Sequence, residues 1–349
     1  MCWGFFFWLW APARQHLRRP GPYLAVLVTL LCAVPVLWWN AQHGWITMEH
    51  VASNGSINKA WQFNPGHTAE LLLASAGLLH PVFFVASVWA AIGFWRFQRG
   101  QPLPLFFFCM SAPVYLMHLA YTLHSRILPN WIAPCVLPGF CLMAVYWDAR
   151  WRAGARAVRG WLLGAMILGA VVSAFGLKPE LTRKIAGYTL PPRQDPLRRV
   201  QGWSTASDLV EAQRRKLEAE GQPAFIICEH YGMTGLFTFY GPKDRSSPAG
   251  QPLVYVVSSD HPENQLYFWP EYRYRQTRAG QNAIYVEEND KVAPAPKRMV
   301  AEFASVTDLG IFPLEHGGRV TRRLQLWACR NLRPEVKQEP LEPRSHLQP

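Results

Sequence analysis

The chain has 349 residues, 50% of them hydrophobic and only 17% charged, with 35 Lys+Arg against 23 Asp+Glu for a formal net charge of +12. Sparse charge with 13% aromatics excludes a predominantly disordered chain, and seven cysteines over this length exclude a small disulfide-stapled scaffold. The mean hydropathy of −0.02 averages two unlike parts: residues 1–177 carry 11 Lys+Arg, 3 Asp+Glu and 13 of the 16 Trp, a net of +8, while 178–349 carry 24 and 20, a net of +4.

The first part is a series of apolar runs: 1–11, Pro22 to Trp39, Leu71 to Trp95, Leu103 to Leu123, Trp131 to Trp147 and Gly160 to Leu177. All but the first approach or exceed the roughly 17–25 residues that cross a hydrocarbon core. Trp38, Trp39, Trp95, Trp131, Trp147 and Trp161 stand at run ends, where an amphipathic ring suits the headgroup layer. The basic residues alternate between loops. Arg14, Arg18 and Arg19 fall in the first, Arg96 and Arg99 in the third, and Arg150, Arg152, Arg156 and Arg159 in the fifth. The positive-inside bias therefore predicts loops one, three and five in the cytoplasm, with loops two and four and everything after Leu177 on the other side. The +8 of this half sets topology and is no nucleic-acid signal. The opening run has no basic n-region and no small-residue cleavage site, and it is short for a span. It reads as the tail of a longer helix, and the expectation is that the chain is the C-terminal part of a larger membrane protein.

The second part alternates helix and strand signals, which predicts a small α/β domain over 178–332. A polar amphipathic helix is predicted over 206–220, capped by Ser204 or Thr205, with Asp208 in its first turn and Gly221 stopping it. Strands are expected at Ala224–Cys228, Leu253–Val257 and Asn282–Val286, and helices at Tyr231–Tyr240, Asn264–Trp269 and Arg298–Ala304. A hairpin pairs Val306–Leu314 with Arg319–Arg330 across Gly317-Gly318. The Pro-rich, charge-alternating tail over 333–349 is expected to be disordered. Cys228 and Cys329 fall in predicted strands; a disulfide needs those strands to be neighbours, and two buried free thiols are the alternative reading.

No GxGxxG, P-loop, HExxH, CxxC or GxSxG motif occurs, so no cofactor is predicted. His43, His50 and His67 with Glu49 match no zinc spacing, and no metal site is predicted. Two loops remain. Loop two, Trp38-Trp39-Asn40-Ala41-Gln42-His43-Gly44-Trp45 through His50 to Gly55, mixes aromatics, amides, His and one acid. That composition suits an amphipathic segment at the interface, and it equally suits a sugar or phosphate headgroup that needs donors, acceptors and flat rings. Loop four, His124-Ser125-Arg126-Ile127-Leu128-Pro129-Asn130-Trp131, places one Arg against the charge bias. A guanidinium pairs with phosphate through a planar fork, and it also snorkels to ordinary headgroups.

On these residues, with the Pro129-Asn130-Trp131-Ile132-Ala133-Pro134 turn and the run Tyr231 to Tyr240, the sequence resembles the C-terminal part of bacterial glycosyltransferase family 39. That family is related to the protein O-mannosyltransferases and the lipid A aminoarabinose transferases. The resemblance covers about residues 1–290 and implies a partial GT-C fold, a membrane all-α helical bundle over 1–177 followed by a small extracytoplasmic α/β domain. It implies residence in the bacterial inner membrane and transfer of a sugar from a polyprenyl-phosphate donor to an envelope acceptor. Arg126 stands where relatives hold the lipid phosphate, with Asn130 and Trp131 in the matching turn; Asn40, His43 and His50 are the substrate-binding candidates of loop two. The family's catalytic acid lies in an Asp-Glu loop that has no counterpart here. No catalytic residue is therefore assigned, Glu49 is a remote substitute, and the chain by itself is expected to be inactive. A non-catalytic membrane-anchored module that binds envelope glycans or a partner is the alternative, and a transporter component a weaker third, since the runs almost lack ionisable groups.

Overall fold

The computed structural model describes residues 1–57, 59–97, 100–188, 191, 195, 197–241, 251–259, 262, 264–316 and 319–334. Two units emerge, Met1–Ser173 and Ala174–Pro349.

The first unit is helical: α1 (Cys2–Leu9), α2 (Pro20–Gln42), α3 (Ile46–Asn54), α4 (Gly66–Leu78), α5 (Pro81–Phe97), α6 (Pro102–Tyr121), α7 (Ala133–Arg152) and α8 (Ala157–Leu177), the last running across the boundary. Proline opens α2, α5 and α6, where its missing N–H has no helical partner to lose. Four stretches are long and apolar enough to span a membrane: α2, α6, α7 with its preceding turn, and α8. The run Leu71 to Trp95, read as one span, is broken. α4 and α5 meet at 112°, with His80 between them in the left-handed region at φ 71. Apolar composition carries no directional information, and Pro81 starts a new helix instead of continuing the old one. The pair makes a fifth crossing if its halves count together.

Helix contacts in this unit are close where side chains are small. A Cβ on Gly93 of α5 would overlap the Tyr146 hydroxyl of α7, and one on Gly139 of α7 would stand 2.8 Å from Ser111 Oγ of α6. Small residues let apolar helices approach without a hydrophobic drive between them. Phe6, Ala90, Phe94, Leu105, Cys109, Leu142 and Tyr146 form the buried cluster that joins α1, α5, α6 and α7.

The second unit holds α9 (Glu180–Ala186), α10 (Trp203–Glu218), β1 (Ala224–Cys228), α11 (Tyr231–Tyr240), β2 (Val254–Val256), α12 (Tyr274–Thr277), β3 (Asn282–Glu288), α13 (Lys297–Glu302), β4 (Phe303–His316) and β5 (Arg319–Leu332). The sheet order is β2-β1-β3-β5-β4. β1 is parallel to β2 and β3, and β5 runs antiparallel to β3 and β4. Strand alternation divides the core between two faces. Ala224, Ile226, Cys228, Ile284, Val286, Leu324 and Leu326 meet α10 and α11. Phe225, Ile227, Tyr255, Tyr285, Trp327 and Cys329 lie on the other face with Tyr274 and Met299. Burial on both faces is why β1 reads as an unbroken apolar run.

Several expectations need correction. α10 begins at Trp203 behind Gly202, whose φ of 80 suits glycine; no side chain caps it, and Asp208 lies beyond the first turn. The 264–269 helix is a four-residue 3-10 turn, Gln265–Phe268, capped by Asn264. Cys228 and Cys329 are free, because β3 separates their strands and their side chains point to opposite faces. The Gly317-Gly318 turn and the tail from Glu335 lie outside the described residues.

Two ion networks tie the helices to this sheet. Arg214 on α10 grips Glu211 with Nε and Nη2 at 2.7 and 2.8 Å and donates Nη1 to the Ala224 carbonyl of β1 at 2.9 Å. Burial alone would raise the Glu211 pKa, but donation from Arg214 and Arg215 outweighs it and holds the carboxyl below its usual range. Arg322 of β5 lies 3.8 Å over the Trp203 ring and bonds Glu288, so the start of α10 is pinned by cation–π contact.

Candidate functional site

The two singled-out loops of the helical unit pack on each other. Asn64 N donates to the Leu123 carbonyl at 2.9 Å, Thr68 and Thr122 share a hydroxyl–hydroxyl bond at 2.8 Å, and the Tyr121 hydroxyl donates to the Gly55 carbonyl at 2.8 Å. His124 stacks on Trp61 at 4.6 Å and lies edge-on to Tyr121 at 5.5 Å, with Nε2 3.3 Å from the Ser56 carbonyl. Its Nδ1 is buried without a hydrogen-bond partner. The apolar floor below is Leu71, Ile127, Ile132 and Cys135, with Trp131 packed at its edge.

Arg126, the one basic residue of loop four, has an acidic partner. Its Nε stands 2.9 Å from Oε2 of Glu70, on the second turn of α4, and His67 Nδ1 lies 3.8 Å from the same oxygen. Arg126 is 43% and Glu70 54% exposed, so both groups keep water and the pair contributes about 0–1 kcal/mol. Asn130 is exposed in the 3-10 turn Pro129–Ile132. An exposed guanidinium can receive an oxyanion, provided the anion displaces Glu70 or shares the guanidinium with it.

The loop-two candidates take two different roles. Asn40 is 1% exposed; its Nδ2 donates to the Val36 carbonyl at 2.9 Å and its Oδ1 accepts from Thr47 N at 3.2 Å. Its own carbonyl takes the amides of His43 and Trp45. It organises the turn that lets Trp45, at φ 60, start α3. His43 stacks on Trp39 at 4.1 Å and bonds the Trp39 carbonyl through Nδ1 at 2.8 Å. His50 is exposed on α3, with Nε2 2.9 Å from Asn54 Nδ2. No described interaction joins Asn40, His43 or His50 to Arg126. Glu70, which meets Arg126, and His67, which reaches Glu70, were not proposed as binding residues from sequence; Glu70 is one of only three acids in residues 1–177, which was the available signal. Among the described residues no three His, Cys, Asp or Glu side chains converge as metal ligands.

Comparison with known proteins gives one coarse relationship. No family model matches the chain, and no solved structure matches it. A stretch of 133 residues is 26% identical to lipid A galacturonosyltransferase RgtD of Rhizobium johnstonii, covering 38% of this chain and 28% of that protein. The chain thus spans well under a third of the relative it matches. The likeness supports a glycosyltransferase relationship, and the apolar helices agree with an integral membrane protein.

Proposed function

We propose that the chain is part of a membrane glycosyltransferase that moves a sugar from a polyprenyl-phosphate donor to a cell-envelope acceptor, with Arg126 holding the donor phosphate. Loops two and four then face the extracytoplasmic side together, as the charge bias of the other loops requires. The observation that carries the reading is the seam between the two loops, where Arg126 stands exposed against Glu70 and where His124 stacks on Trp61 and meets the Ser56 carbonyl. A planar guanidinium binds phosphate bidentately, Asn130 adds an exposed amide, and the Trp61–His124 stack offers a flat wall. In this reading Arg126 is the contact for the lipid phosphate; Glu70 is its partner and is not assigned as the base.

The test is donor use by the full-length protein in membranes. A charge-assisted hydrogen bond is worth about 1.5–3 kcal/mol, so Arg126→Ala is expected to reduce turnover at limiting donor roughly ten- to hundredfold. Arg126→Lys retains the charge and is expected to lose less. Glu70→Gln, which releases the guanidinium, is expected to lower the donor KM by up to about fivefold, the scale of an exposed ion pair. Equal and negligible effects of the two Arg126 variants would reduce the residue to a partner of Glu70.

A further inference from the structure

At the opposite end of α7 from loop four, the helical unit has a basic corner that the transfer reaction does not use. A tight turn with Gly154 at φ 92 joins α7 to α8. Arg150 and Arg152, in the last turn of α7, therefore lie across a short connection from Arg156, just before α8, and Arg159, in its first turn. Four arginines fall within ten positions, and all four are exposed. The 20 residues of α7, about 30 Å of helix, separate them from loop four. The end of α5 lies here too: Gly93 packs on the Tyr146 hydroxyl, the Arg150 guanidinium stands 5.0 Å from the centre of the same ring, and Arg96 follows Gly93 by about one turn.

Little within the unit neutralises this charge. Of the three acids in residues 1–177, Glu70 pairs with Arg126 and Glu49 lies in the first turn of α3, in loop two, which leaves Asp148. Asp148 takes Arg152 at 2.8 Å in an exposed i,i+4 pair. Among the described residues the Arg156 and Arg159 side chains have no partner. Both also stand at the amino end of α8, where the helix dipole disfavours a cation, and no acid occupies that first turn. Below the charge the surface turns apolar. Arg159, Leu163, Met166 and Ile167 recur at i, i+4, i+7 and i+8 on one face of α8, and each of the three apolar residues is at least 50% exposed. Exposed Trp151 and Trp161 flank the arginines. Topology needs positive charge on this side of the membrane. It does not need that charge gathered above an uncovered apolar stripe.

We infer that the α7–α8 corner binds an anionic phospholipid, its phosphate received by Arg156 and Arg159 with Arg150 across the turn, and an acyl chain laid along Leu163, Met166 and Ile167. A guanidinium offers directed donors to a phosphodiester, clustered basic residues beside a membrane helix attract anionic lipid, and Trp suits the level between headgroup and chain. A free phosphate satisfies the arginines and leaves the stripe bare, so the two halves together select a lipid. The corner is independent of the donor-phosphate reading of Arg126.

Native mass spectrometry of the full chain, titrated in detergent at low ionic strength with dioleoylphosphatidylglycerol, dioleoylphosphatidylcholine and inorganic phosphate, tests it. Phosphatidylglycerol is expected to bind about tenfold tighter than phosphatidylcholine or better, since each arginine near an anionic headgroup is worth about fivefold. Arg156→Gln combined with Arg159→Gln is expected to remove most of that preference and to leave phosphatidylcholine binding unchanged. Arg156→Lys combined with Arg159→Lys keeps the charge and is expected to keep the preference within about threefold. Asp148→Asn, which frees Arg152, is expected to tighten phosphatidylglycerol about two- to fivefold, a gain that a folding defect cannot imitate. Arg126→Ala is expected to leave the preference intact. Equal binding of the two lipids, a preference that survives the glutamine pair, a preference lost in the lysine pair or in Arg126→Ala, or inorganic phosphate displacing phosphatidylglycerol at equal concentration would each overturn the proposal.

Discussion

The helical and sheet units differ in where they leave large apolar side chains. In the sheet unit the large rings go inside: Phe225, Tyr255, Tyr285 and Trp327 are all fully buried. In the helical unit Leu24, Leu27, Leu31, Val36 and Leu73 stand outside, and only 6% of the apolar stretch of α2 is buried. The same unit hides polar groups, with Asn40 and Ser75 at 1% and Thr122 at 0% exposure, each bonded to backbone or to another hydroxyl. One rule covers both patterns. Apolar surface is placed wherever water is absent, and polar groups without water must find partners within the protein. An exposed leucine is therefore a liability in one unit and a solvent-matched surface in the other.

That contrast can be attacked from either side. The largest effect is expected from Trp327→Ala at the sheet centre, at about 3–5 kcal/mol, read as loss of protease resistance and near-UV dichroism of the sheet unit; Leu27→Ala, on the outer face of α2, is expected to change stability by no more than about 0.5 kcal/mol. If both cost the same, the two units share one kind of core and the comparison fails. Next comes a charge on two equally exposed apolar positions. Leu31 and Val300 are 60% and 52% exposed. Leu31→Arg, mid-way along α2, is expected to cost about 2.5–3.5 kcal/mol in a membrane-integration assay, while Val300→Arg on α13 stays within about 0.5 kcal/mol in thermal unfolding. The smallest effect is in pH. Glu211 is held below its ordinary pKa in the folded state, so its stabilising contribution is complete above the unfolded value of about 4.3 and is lost as pH falls through the lowered native value. Glu211→Gln is expected to flatten that part of the acid-unfolding curve, and an unchanged curve would show that the carboxyl titrates normally.

Much of the sheet unit was legible because its signals are local. The bounds of β1 and α11 follow from Ala224-Phe225-Ile226-Ile227-Cys228 and from the Gly241-Pro242 stop. β3 runs two residues further than its apolar core, because Glu287 and Glu288 pair with Gln325 and Leu324 of β5 and strand length is set by the partner. The start of α10 was misread because Ser204 and Thr205 offer capping side chains, whereas the left-handed Gly202 and the Trp203–Arg322 stack fix the entry. In the helical unit hydropathy located the apolar segments but not the bend at His80, since direction is not encoded in composition. The Glu70–Arg126 pair is 56 positions apart in sequence and becomes visible only when the two loops meet. Asn40 shows the converse: its residue type suggested ligand binding, and its geometry assigns it to a turn.

The separation of Cys228 and Cys329 by one strand and one sheet thickness has a practical consequence. Neither thiol needs an oxidising compartment, and each is sealed under a different layer, Cys228 beneath α10 and α11, Cys329 on the side of α12 and α13. In a chain whose other five cysteines are replaced, the alkylation rates of these two atoms become independent clocks, one for the lifting of each layer from the sheet. Equal rates would mean the domain opens as a whole; a faster Cys329 would mean that the side of α12 and α13 breathes on its own.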